Sequence, residues 1–136
     1  MRVILADDSE LILVRLEQML STFPEVELLG SYIDGLQTLN AMKKQKPDLA
    51  IIDIKMPWMS GLDVLKEIRK EDKFMKIILL SFYSSNYYRQ LASKLGADYF
   101  FSKSDEFDKV FLTVSELLKE DNNSSPLTDS FNTRLN

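Results

Sequence analysis

The chain has 136 residues, 45% hydrophobic and 28% charged, with no cysteine and no histidine, a length and composition suited to one cored domain. The missing residue types exclude disulfides, thiolate or imidazole metal sites, and Ser–His or Cys–His nucleophile pairs, which leaves carboxylates, hydroxyls and lysine for any chemistry. The net charge of −4 argues against a nucleic-acid partner, and no apolar run reaches the about 18 residues that cross a bilayer; a cytoplasmic protein with no membrane partner is expected.

In chain order, Val3-Ile4-Leu5-Ala6 reads as a first strand, followed by a helix whose apolar stripe is Leu11, Val14, Leu16, Met19 and Leu20. Glu27 to Tyr32 reads as a second strand. Lys43, Lys44 and Lys46 precede Pro47, as cations do at a helix C-terminus that a proline closes. Leu49 to Ile52 is a third strand. Ser60 is placed to cap a helix opening at Gly61, with Leu62, Val64, Leu65 and Ile68 as its apolar face. Ile77 to Leu80 is a fourth strand, Gly96 a left-handed helix terminator, and Tyr99 to Phe101 a fifth strand. A last helix carries Val110, Phe111, Val114, Leu117 and Leu118. The first, third and fourth strands are unbroken apolar runs, the pattern of strands covered on both faces. Strict alternation predicts an α/β fold: a doubly wound five-stranded parallel sheet, flavodoxin-like, of order 2-1-3-4-5, with helices on both faces. This domain is expected over residues 1–120, with a flexible polar tail over 121–136.

In that order the first and third strands are neighbours at the switch point, so Asp7, Asp8 and Asp53 meet at the carboxyl edge of the sheet. Three like charges there require compensation, and a hard divalent cation such as magnesium supplies it. Ser81, at the end of the fourth strand, adds a hydroxyl, and Lys103, after the fifth, an ammonium. Three carboxylates against one divalent ion and one lysine leave the site near neutral and suited to phosphate chemistry.

These segments resemble the response-regulator receiver domain of two-component signalling, of the chemotaxis-regulator kind. The resemblance rests on Val3-Ile4-Leu5-Ala6-Asp7-Asp8-Ser9, on Pro47 through Pro57 with its Asp53-Ile54-Lys55-Met56-Pro57, on Ser60 through Leu65, and on Gly96 through Lys103. It implies that Asp53 is phosphorylated by a histidine kinase or histidine phosphotransfer protein. It also implies that Asp7, Asp8, Asp53 and the Lys55 carbonyl hold magnesium, and that Ser81 and Lys103 contact the phosphoryl group. Phe100 falls at the aromatic switch position. Lys55 and Tyr83 fall where the family tunes phosphoryl lifetime. Ser104 stands where the family usually has proline.

The output is then a changed helix 4–strand 5–helix 5 surface that binds a downstream target. It is not multiple-turnover catalysis. Nine aromatics lie between Phe82 and Phe111; most are expected in the core, with one of Tyr87 and Tyr88 left for docking a partner or a second copy. The alternative reading is the receiver portion of a DNA-binding transcriptional regulator without its output domain. A flavin-binding protein would need a hydroxyl- and glycine-rich phosphate loop where Asp7 and Asp8 stand. A magnesium phosphatase would turn over repeatedly on small esters.

Overall fold

Buried strands need apolar side chains on both faces, and the computed structural model, which describes residues 1–123, builds its sheet from such strands. The elements alternate without exception: β1 (Arg2–Ala6), α1 (Glu10–Leu20), β2 (Glu27–Tyr32), α2 (Gly35–Gln45), β3 (Leu49–Asp53), α3 (Gly61–Ile68), β4 (Lys76–Ser81), α4 (Asn86–Leu95), β5 (Tyr99–Ser102) and α5 (Phe107–Asn123). The sheet is parallel, in the expected order β2-β1-β3-β4-β5. The helix α5 continues to Asn123, and the rest of the expected tail lies outside the described residues.

Side-chain alternation along the central strands divides the interior into two cores. Ile4, Ala50, Ile52, Ile77 and Leu79 face one side with Met42 of α2, Val64, Leu65 and Ile68 of α3, and Ala92 of α4. Val3, Leu5, Leu49, Ile51, Ile78 and Leu80 face the other with α1 and α5. Each large side chain fully removed from water contributes about 1.5–3 kcal/mol, so these central strands hold the sheet's carboxyl edge firmly.

Two expectations about packing are corrected. Leu11 and Val14 of α1 are exposed, and the buried stripe is Ile12, Leu13, Leu16 and Leu20. Four consecutive apolar residues straddle the helix, and the phase set by Leu16 and Leu20 turns only the middle two inward. The aromatic cluster is also less buried than expected: β5 is a half-buried edge strand, and Phe82, Tyr83, Tyr87 and Phe111 are exposed. Tyr87 and Tyr88 do divide as predicted. Tyr88 packs against the first core while Tyr87 stays in solvent.

Helix boundaries follow the local chemistry. The Ser9, Asp34 and Ser60 side chains accept from backbone N–H groups in the first turns of α1, α2 and α3. Gly96 ends α4 at φ +104°. Gly61 matters for a different reason, close approach. Its N–H donates to the Ile54 carbonyl at 2.7 Å, and a Cβ added there would stand 2.2 Å from the Asp53 carbonyl oxygen. A side chain at this point forces α3 and the end of β3 apart. Urea unfolding should find Gly61→Ala destabilised by about 2–4 kcal/mol; a loss below about 0.5 kcal/mol would show that the contact relaxes freely.

Candidate phosphoryl-acceptor and cation site

The sheet register assembles the site. Ala6 pairs with Ile52, so the next residues along each strand, Asp7 and Asp53, stand side by side. Asp53 pairs with Leu80, and Ser81 with Ser102, which brings Ser81 and Lys103 to the same edge. Carboxylate oxygens of Asp7, Asp8 and Asp53 lie within 4.8 Å of one another. Asp7 and Asp53 are buried, whereas Asp8 faces solvent.

The Lys103 ammonium reaches between the buried pair, 2.6 Å from Asp7 Oδ2 and 3.1 Å from Asp53 Oδ2. Its long stem is covered, leaving the side chain 3% exposed. One cation for three carboxylates is too few. Burial first, and the Asp7 charge second, push the Asp53 carboxyl up to about 7 in the absence of a metal, against the opposing pull of Lys103. Asp7 Oδ1 accepts from the Ser9 N–H at 2.8 Å. Asp7 Oδ2 is buried with no hydrogen bond among the described residues, its contact with Lys103 being close but out of hydrogen-bond alignment. Three converging carboxylates offset by a single lysine are a donor set that a hard cation prefers, so the residues present fit a divalent ion.

Above these groups opens a cavity of about 250 Å³ lined by Asp8, Ser9, Asp53, Lys55, Phe82, Tyr83 and Lys103. The Lys55 N–H approaches Asp53 Oδ1 at 3.4 Å, and its ammonium donates to the Tyr83 hydroxyl at 3.4 Å. Ser81 lies one residue below the rim, fully buried, its Oγ accepting from the Tyr83 N–H at 2.8 Å. Phe100 is half-buried against the first core, across β4 from the acidic cluster. The structure thus brings Asp7, Asp8, Asp53, Lys55 and Lys103 to one cavity, Ser81 to its edge, and Phe100 to the neighbouring face.

Phe82 was not among the residues read from the sequence as part of the site. Its ring centroid is 5.2 Å from Lys103 Nζ and forms a wall of the cavity; its position next to Ser81 was the available signal. The peptide bond between Lys103 and Ser104 is trans, and the Ser102 hydroxyl accepts from the Ser104 and Asp105 N–H groups at 3.2 and 3.4 Å.

Because Asp53 holds its proton in the folded chain above its ordinary value of 3.8, folding takes up a proton between that pH and about 7. Stability from this group is present at low pH and is lost as pH rises through the folded value. In chelator, the margin by which Asp53→Asn outmelts the wild type should be larger at pH 8 than at pH 5 by about 5 °C or more. An equal margin at the two pH values would contradict the crowding of charge described here.

The chain is similar to known proteins over most of its length. The chain is 38% identical over 104 residues, 75% of its length and 30% of the relative's, to a protein-glutamate methylesterase/protein-glutamine glutaminase of Methanospirillum hungatei. It is 30% identical over 118 residues, 87% of its length and 59% of the relative's, to the uncharacterized transcriptional regulatory protein YvfU of Bacillus subtilis. The chain therefore spans less than two-thirds of these relatives. Among solved structures, the signal receiver domain of the NarL regulator from Mycobacterium tuberculosis superposes with a TM-score of 0.79 at 27% identity, covering 87% of this chain and 95% of that one. The response regulator domain of Thermotoga maritima CheB gives 0.77 at 26%, covering 93% and 98%. No helix among the described residues is long and apolar enough to cross a membrane. The response regulator receiver domain profile matches residues 3–115, and the chain belongs to that family.

Proposed function

We propose that Asp53 is the phosphoryl acceptor of this receiver domain. The observation that carries the reading is the convergence of Asp7, Asp8 and Asp53 at one edge of the sheet, with the Lys103 ammonium between the buried pair. An Asp53 carboxylate oxygen forms the new bond to phosphorus. The bond from phosphorus to the imidazole nitrogen of a partner's phosphohistidine breaks, and its electron pair stays with the leaving imidazole. The chain has no histidine, so that donor belongs to a histidine kinase or histidine phosphotransfer protein.

Such transfers depend on positioning and on compensation of charge at the equatorial oxygens. Lys103 is already within ion-pair distance of Asp53 and supplies one positive partner. Ser81 supplies a hydroxyl whose own proton has no acceptor among the described residues. Magnesium, held by Asp7, Asp8, Asp53 and the Lys55 carbonyl, would neutralise further charge when bound. Hydrolysis of the acyl phosphate returns the Asp53 carboxylate and releases inorganic phosphate. The chain then catalyses its own phosphorylation and slow reset, one equivalent at a time. Lys55 and Tyr83, in contact over the cavity, are the residues that would govern water access and hence lifetime.

The signal would leave through the face formed by α4, β5 and α5, where Phe100 changes position as Ser81 moves toward the phosphoryl group. A downstream protein, or a second copy of this chain, is the reader of that face in the cytoplasm, with exposed Tyr87 as a contact. The shift between states must come from contacts that differ between them.

Incubation with acetyl phosphate and magnesium should add one phosphoryl group to the intact mass of the wild type. The group should be absent in Asp53→Asn and without magnesium. Lys103→Ala should slow its appearance by about tenfold or more. An unchanged Asp53→Asn mass gain would place the modification elsewhere and overturn the assignment.

A further inference from the structure

The chemistry described so far does not use a second polar assembly beside the site, built on Arg89 of α4. Its guanidinium meets three separate elements. Nε donates to the Ser84 carbonyl at 3.2 Å, in the loop that follows Ser81. Nη1 donates to the Phe100 carbonyl at 3.2 Å, in β5. Nη2 is ion-paired and hydrogen-bonded to Glu106 Oε1, in the loop that follows Lys103. The guanidinium carbon also lies 5.0 Å from the Phe100 ring centroid, over its face.

Glu106 is held as firmly on its own side. Its Oε1 accepts from the Ser102 N–H at 3.0 Å while its N–H donates to the Ser102 carbonyl at 2.9 Å, bracketing the residue before Lys103. Oε2 accepts from Lys109 Nζ at 2.9 Å. Hydrogen bonds from Arg89, then Lys109, then the Ser102 N–H hold its carboxyl down at about 2, so the pair is charged throughout the neutral range.

Exposed ion pairs contribute little. This one differs because a planar guanidinium with each of its three nitrogens hydrogen-bonded fixes geometry as well as charge, and Glu106 is 18% exposed against 34% for Arg89. The elements it joins are informative. The loops following Ser81 and Lys103 must both address the same phosphoryl group, and a backbone tie from the Lys103 N–H to the Ser81 carbonyl at 3.0 Å joins them where the β4–β5 pairing ends.

Resting on the reading of Asp53 as acceptor, we propose that Arg89 and Glu106 are positioning residues for phosphoryl transfer: their ion pair fixes the spacing of the Ser81 and Lys103 loops and ties that spacing to the Phe100 backbone and ring. Among the described residues, neither is hydrogen-bonded or ion-paired to Asp7, Asp8 or Asp53. The pair therefore acts through the Ser81 and Lys103 loops and not as a ligand of the cation.

The test uses the full chain as wild type, Arg89→Ala, Arg89→Lys, Glu106→Gln and the Arg89→Ala/Glu106→Gln double variant. Two quantities are read: the magnesium concentration that half-saturates the rise in melting temperature, and the rate of phosphoryl gain at saturating acetyl phosphate. A saturable rise in melting temperature in every variant reports an intact fold that still binds magnesium. The transfer rate should fall by about tenfold in Arg89→Ala and in Glu106→Gln, with no further fall in the double variant and partial recovery in Arg89→Lys. Rates within twofold of wild type, or losses that multiply in the double variant, would overturn the proposal. If Arg89→Ala does not fold, the near-isosteric Glu106→Gln decides alone. A wild type that gains no phosphoryl group would overturn the acceptor reading and this inference together, whereas a wild type that gains one beside unaffected variants overturns only the inference.

Discussion

The structure depends most on the placement of one ammonium, that of Lys103, between the buried carboxylates of Asp7 and Asp53. Removing charged groups from water costs several kcal/mol each, and an imperfectly compensated cluster is not a stability device. Here the compensation is incomplete by design of the residue set: three carboxylates face one lysine, and one buried oxygen has no hydrogen bond. The fold tolerates this because the two cores clamp β1, β3 and β4, whose apolar runs bury side chains on both faces of the sheet. The register of those strands delivers the charges to one edge. The unfavourable arrangement is one that a divalent cation can relieve.

The supporting geometry follows from the same requirement. Gly61 lets α3 begin against the Asp53 carbonyl, so β3 ends where the loop from Lys55 to Ser60 can fold back beside it. On the other side, the hydrogen bonds of Ser102 and the pairing of Arg89 with Glu106 hold the Lys103 loop. The edge strand β5 is half-buried, and its exposure leaves an aromatic surface available to a partner. The site is thus bounded by a rigid half, β1 and β3, and a half built from loops and an edge strand.

Most of the fold was legible in the sequence because its signals were local and redundant. Unbroken apolar runs marked β1, β3 and β4, and Ser60, Gly61 and Gly96 marked helix ends for reasons the structure bears out. The acidic cluster was legible because parallel order alone brings Asp7 and Asp53 together. Burial was harder to read. Leu11 through Val14 are all apolar, so composition could not give the phase of α1, and the aromatics near β5 look like core until the strand is known to be an edge. Phe82 and the Arg89–Glu106 pair escaped notice because both depend on distances across elements that no spacing in the sequence encodes.

The central claim is that this carboxylate set is short of one cation. Calorimetric titration of the full chain with magnesium chloride at pH 8 tests it most directly, with exposed Asp8 as the residue to vary. The account predicts one ion per chain, and affinity weaker by about tenfold or more in Asp8→Asn. No binding by the wild type, or equal binding by Asp8→Asn, would contradict it.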